Sequence, residues 1–221
     1  MIMKKVLLLA LLLVSVSATH AQWSITPEAG LATSKYANAG YDSWKPSVKI
    51  GAALEYDFTG GFALQSGLYY TSRGSSYVSL RIDDGISDNG YYSASYAWNR
   101  HYLQMPLMAK FSWEIADDVR LSAAAGPYAA LELCKDTSGT IYYSRDNGYG
   151  YGVSYGYYPQ SSNGLSKFDW GASLAVGVEA RRWTTTLGYD VSLGRESDWT
   201  STEINYHTIS LSVGYKFKLG K

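Results

Sequence analysis

The sequence predicts an all-β protein, an eight-stranded antiparallel up-and-down transmembrane β-barrel, and three observations predict it. Segment after segment alternates apolar and polar residues, the period-two signature of a strand with two unlike faces. Most of these segments span ten or more residues, near the roughly 9 to 11 that a tilted strand needs to cross a bilayer and about twice the mean soluble strand. The connections between them alternate strictly between short and long.

The amino terminus precedes that pattern. Lys4 and Lys5 stand before an apolar run from Val6 to Val16, and small and polar residues follow from Ser17 to Gln22. This is the three-part build of a cleavable signal peptide. The apolar run is much shorter than the roughly 20 residues a helix needs to cross a bilayer. Cleavage is expected near Ala21, making 1–21 the signal peptide and 22–221 a single barrel domain. The leader has no cysteine to carry a lipid. It holds two of the nineteen basic residues and none of the nineteen acids, so the mature chain has a small acidic excess and nothing that suggests nucleic acid as a partner. Cys134 is the only cysteine, so no internal disulfide forms, and no activating neighbour is visible in the sequence.

In order, the strands are expected at 23–33, 48–58, 62–73, 102–113, 119–131, 170–180, 183–193 and 207–217. The last is the cleanest: Ile209, Leu211, Val213, Tyr215 and Phe217 share one face, and Thr208, Ser210, Ser212, Gly214 and Lys216 the other. The second repeats the plan, Val48 to Phe58 against Lys49, Gly51, Ala53, Glu55 and Asp57. Short turns fall at 59–61, 116–118 and 181–182, and long connections at 34–46, 74–100, 133–167 and 194–206. Short turns at one end and long loops at the other is the layout of outer-membrane barrels, with the turns and both termini periplasmic.

Alternation leaves open which face points inward, and a soluble secreted barrel binding an apolar ligand is the competing reading. Trp23, Phe58, Phe62, Trp113, Trp183 and Phe217 all fall on the apolar face at the short-turn ends of their strands. Rings gathered at one height suit a lipid–water interface, where amphipathic aromatics concentrate. The polar face then lines the interior, with Glu28, Glu55, Asp57, Glu114, Glu179 and Asp190 against Lys49, Arg73, Lys110, Arg120, Arg181 and Lys216. Eight strands leave an interior just wide enough for side chains to fill. These charges are therefore expected to pair and plug the lumen, with room left by Gly51, Gly67, Gly126, Gly171, Gly177, Gly188 and Gly214.

The stretch Tyr102-Leu103-Gln104-Met105-Pro106-Leu107-Met108-Ala109-Lys110 resembles the "YLxxPL" strand of the PorT-like outer membrane β-barrel family. Gly126-Pro127-Tyr128 and the closing Ser212-Val213-Gly214-Tyr215-Lys216-Phe217 are similar to that family's following and last strands. The resemblance implies a small outer-membrane barrel and identifies no ligand. A closing strand of alternating aromatics also resembles the signal read by the barrel-assembly machinery, although Leu219, Gly220 and Lys221 extend past Phe217.

Specific activity is expected in the long connections. The longest carries Tyr149, Tyr151, Tyr155, Tyr157 and Tyr158 among Gly148, Gly150, Gly152 and Gly156, a mixture suited to partner binding and equally to a wettable loop or a strand extension above the membrane. Asp83, Asp84, Asp88 and Asn89, with Gly85 and Gly90, do not follow calcium-loop spacing and read as turn formers. An enzymatic alternative, a barrel that modifies lipid or protein, rests on His101 and His207, with no local motif supplying a nucleophile. The sequence offers no phosphate-cradling loop and no zinc cluster, so no cofactor is expected. The expected partners are outer-membrane lipid, the assembly machinery and an unidentified surface ligand or protein.

Overall fold

A computed structural model describes residues 22–36, 43–83, 90–145, 150–160, 168–194, 196–197 and 203–219. The expected leader, Tyr149 and residues 84–89, expected as turn formers, lie outside the described residues. The strands are β1 (Gln22–Tyr36), β2 (Lys45–Asp57), β3 (Phe62–Asp83), β4 (Gly90–Ala116), β5 (Val119–Arg145), β6 (Gly150–Gln160), β7 (Phe168–Ala180), β8 (Trp183–Ser192), β9 (Glu196–Ser197), β10 (Glu203–Ile204), β11 (Tyr206–Tyr215) and β12 (Phe217–Lys218).

Eight of these close an antiparallel barrel in the order β11-β8-β7-β5-β4-β3-β2-β1, and β1 pairs back onto β11 through Glu28 opposite Gly214 and Leu31 opposite Leu211. β12 continues β11 along β1 in the same register after a break at Lys216, whose amide donates to the Arg182 carbonyl at 2.7 Å. All eight expected strands are present.

Burial settles the two faces. Leu31, Ile50, Leu68, Met105, Leu107, Leu174, Val176, Leu187 and Leu211 are exposed, while Ser24, Thr26, Glu55, Thr71, Arg73, Gln104, Asp169 and Ser212 are buried. A soluble protein would carry its largest contiguous apolar surface inside. The apolar face pointing outward removes the soluble, ligand-filled barrel and makes the wall lipid-facing, because closed sheets are the strand architecture that satisfies every backbone group in a bilayer.

The short-turn edge bears a belt of touching rings. Trp23 packs on Tyr56 at 4.8 Å, Tyr56 on Phe58 at 4.8 Å, Phe58 on Phe62 at 5.4 Å, and Trp183, Tyr215 and Phe217 continue it at 5.2 and 4.9 Å. Of the three tight turns, Gly60 and Gly61 take φ of 84° and 82°, and Asp118 and Arg181 adopt 61° and 58° without a glycine.

The long connections differ from the sequence expectation. β3 runs on to Asp83, β4 begins at Gly90, β5 runs on to Arg145, and β6 pairs with it from Lys135 opposite Gln160 to Ser144 opposite Gly150. Much of what reads as loop is a four-stranded sheet, β3-β4-β5-β6, that continues the wall beyond its apolar zone. Tyr77, Val78, Ile82, Tyr91, Tyr96 and Ile141 are strand-favouring residues, but the apolar–polar alternation of the sequence fades there. β5 changes partner on the way, pairing with β7 up to Leu131 and with β6 from Lys135.

Candidate functional site

Inward-facing side chains gather in two decks. At the long-connection end, Arg73 is fully buried and its guanidinium donates to Asp169 at 2.5 Å, to the Gln104 side-chain carbonyl at 2.5 Å and to the Tyr128 hydroxyl at 3.1 Å. Tyr128 donates in turn to Asp169 at 3.0 Å, Ser192 donates to the same carboxylate at 2.5 Å, and Gln104 donates to Asp190 at 3.2 Å while Ser173 donates to it at 2.5 Å. The guanidinium also lies over the Tyr102 and Tyr128 rings, at 5.2 and 4.8 Å. A planar, always charged, weakly hydrated group suits this setting better than an ammonium.

At the short-turn end, Glu55 accepts from both Lys110 and Lys216 at 2.6 Å. Lys216 also reaches Glu179 at 3.2 Å and Asp57 at 3.7 Å. Between the decks Lys49 lies 4.7 Å over the Tyr69 ring, and Glu28 accepts from Ser212 at 3.3 Å. A cavity of about 30 Å³ beside Glu55 and Lys110 is room for little more than water.

The structure brings Glu28, Lys49, Glu55, Asp57, Arg73, Lys110, Glu179, Asp190 and Lys216 into these interior contacts. Glu114 and Arg120 are exposed at the short-turn rim, where they sit opposite each other across β4 and β5. Arg181 is not an interior residue: it occupies the β7–β8 turn, 85% exposed, with Asp118 4.0 Å away. Alternation stops having meaning where the strand stops. Asp169 and Gln104 complete the upper deck and escape the charge pattern. Asp169 precedes the apolar run that begins at Trp170, yet it shares parity with the inward Gly171 and Ser173, which is the signal that finds it. Gly51 and Gly67 flank the Tyr69 ring, where an added Cβ would stand 2.7 Å from a ring carbon in each case.

On the outer wall, at the long-connection end, two Tyr–His pairs repeat one geometry. Tyr70 and His101 stack at 5.8 Å and 17°, with the hydroxyl 2.6 Å from Nδ1. Tyr189 and His207 stack at 5.9 Å and 14°, again with 2.6 Å from hydroxyl to Nδ1. His101 Nε2 also meets Asp136 at 2.9 Å, and Asn99 donates to that carboxylate at 3.1 Å. Among the described residues no Ser hydroxyl or Cys thiol hydrogen-bonds to either imidazole, and no cluster of metal-ligating side chains occurs. Tyr151, Tyr155, Tyr157 and Tyr158 lie on β6.

A closed wall with a lipid-facing outside and a charged interior defines an integral membrane β-barrel. The chain belongs to the outer membrane protein beta-barrel domain family, whose model matches residues 16–198, and it is an outer-membrane barrel. No curated protein matches it. Among solved structures it is similar to Ail, the attachment invasion locus protein of Yersinia pestis, in complex with the heparin analogue sucrose octasulfate, at 14% identity and TM-score 0.41 over 89% of this chain and 99% of that one. It is also similar to Neisserial surface protein A, at 12% identity and TM-score 0.40 over 89% of this chain and 99% of that one. The N-terminal barrel domain of Pseudomonas aeruginosa OprF gives 15% identity and TM-score 0.39 over 90% of this chain and all of that one.

Proposed function

We propose that the protein is a non-enzymatic surface interaction barrel, with its lumen plugged by the two charged decks and its binding element the β3–β6 sheet on the extracellular side. The observation that carries this is the sheet itself. Among the described residues β6 has one strand partner, β5. Its other edge therefore offers backbone donors and acceptors to an extended segment of a partner, and the strand is rich in amphipathic residues, Tyr151, Tyr155, Tyr157 and Tyr158. The short turns and both termini are assigned to the periplasmic side by the usual asymmetry of such barrels. Membrane lipid surrounds the apolar wall, and the assembly machinery reads the closing strand. Within the family, Tyr102–Lys110, Gly126–Tyr128 and the closing strand support a PorT-like subgroup.

The non-enzymatic reading is supported by the two imidazoles, each engaged at Nδ1 by a tyrosine rather than by a nucleophile. The test places a photo-cross-linking amino acid at Tyr155 or Tyr157 on intact cells, and at Val176 on the lipid-facing wall as comparison. Adducts to one macromolecule from β6 and to lipid alone from Val176 are expected. Lipid or no adducts from both would remove the binding role, and a stable conductance through planar bilayers would remove the plug.

A further inference from the structure

On the outer wall at the long-connection end, three consecutive strands, β8, β11 and β1, and Trp44, the residue that leads into β2, place Trp44, Lys35, His207 and Tyr189 in a row. Lys35 of β1 is the register partner of His207 of β11, so both side chains leave the same face as neighbours. The Lys35 ammonium lies 5.0 Å over the Trp44 ring on one side, and Tyr189 fixes the His207 ring on the other. Among the described residues no carboxylate pairs with Lys35, and His207 Nε2 has no hydrogen-bond partner.

The second Tyr–His stack shows what is missing here. His101 has the same stacking and the same Nδ1 contact, but its Nε2 is closed off by Asp136 at 2.9 Å. At His207 the corresponding nitrogen has no partner among the described residues, and its cross-strand neighbour is the Lys35 ammonium instead of a carboxylate. Directly along the wall from this row, Leu31, Val48, Ile209 and Leu211 are exposed apolar side chains. An occupant must therefore be anionic at one end and apolar along its length.

We propose that this row is a binding site for the phosphate of a lipid headgroup in the outer leaflet, with Lys35 supplying charge, His207 Nε2 a hydrogen bond, and the acyl chains lying along the Leu31 and Leu211 wall. Tyr189 is a positioning residue, because it acts on the lipid through the ring it holds. Trp44 shields the ammonium from water and sits at the level where amphipathic rings concentrate. The inference rests on the wall facing lipid and, for the leaflet, on the outward orientation of the long connections proposed above, not on the binding role of β6.

The test refolds the mature chain into nanodiscs of phosphatidylcholine doped with phosphatidic acid, extracts it gently and measures retained lipid by native mass spectrometry. One retained phosphatidic acid is expected, with retention falling about tenfold in Lys35→Met and in His207→Leu, as loss of a charge-assisted contact implies. Lys35→Arg should retain the lipid, and Lys218→Met, at the opposite end of the barrel, should not change it. Heat-modifiable gel migration checks folding of every variant. Equal retention by Lys35→Met and the parent chain overturns the site. So does equal retention of phosphatidylcholine, or full displacement by inorganic phosphate, which would mean an ion site with no lipid selectivity.

Discussion

Ser34 and Gly74 hold each other twice: the Ser34 hydroxyl donates to the Gly74 carbonyl at 3.1 Å and accepts from the Gly74 amide at 2.9 Å. They belong to β1 and β3, which β2 separates along most of the wall. The last β2–β3 pair is Lys49 with Thr71, so past that point β3 leaves its neighbour and leans across the mouth to reach β1. Both residues are buried, and Arg73 lies next in the chain.

Ser34→Ala strips the buried Gly74 amide and carbonyl of their partner, a cost of about 1 to 3 kcal/mol. The expected result is faster amide exchange at Gly74 and along the upper part of β3, with the spanning strands unchanged. Hydrogen exchange in detergent micelles measures both together, and a barrel-wide change would mean that the contact supports the whole wall.

Arg73→Met leaves Asp169 and Asp190 buried without their cation. Breaking a buried pair from one side costs about 3 to 5 kcal/mol. The double variant Arg73→Met with Asp169→Asn should be less destabilised than the sum of the two single changes, since the pair interacts directly. Urea unfolding midpoints in lipid vesicles give the cycle.

Lys216 meets three carboxylates, Glu55, Asp57 and Glu179, whereas Lys110 meets Glu55. Lys216→Met is therefore expected to cost about 3 kcal/mol or more, and Lys110→Met less, because Glu55 keeps one ammonium in the second case. The order of the two unfolding midpoints decides it, and the reverse order would mean that the deck is organised around Lys110.

Cys134 follows the exposed Leu133 on β5 and sits opposite His101. Burial first, then the nearby Asp136 and Glu132 carboxylates, push its thiol above the usual value. Maleimide alkylation should therefore be slow near neutral pH and keep accelerating beyond the pH at which an ordinary free thiol has levelled off. With a membrane-impermeant reagent on intact cells, labelling is expected if the long connections face outward. Labelling only after lysis would reverse the orientation.

The spanning wall was legible in the sequence because a bilayer imposes two unlike solvents on one strand, and Ile209, Leu211 and Val213 against Ser210 and Ser212 record that directly. Interior charges were legible for the same reason, since a lysine such as Lys216 on the face opposite Tyr215 and Phe217 has nowhere else to point. The β3–β6 sheet was not, because from Tyr91 to Trp98 the sequence carries no clean apolar–polar alternation, and strand and loop share one composition. Asp169 was obscured by the same boundary. The Tyr–His pairs were hidden differently: Tyr189 and His207 are far apart in sequence, and only the β8–β11 register makes them neighbours.

The exchange of partners along β5 has a consequence for how such a protein varies over generations. The wall is complete with β7 at its lower half, so everything carried by β5 above Leu131, β6 included, hangs from a finished cylinder. Insertions, deletions and wholesale replacement between Lys135 and Phe168 leave the pairings that close the cylinder untouched. The outer portion is free to diversify at the pace of whatever it meets, while the spanning portion is held to the slow clock of the membrane.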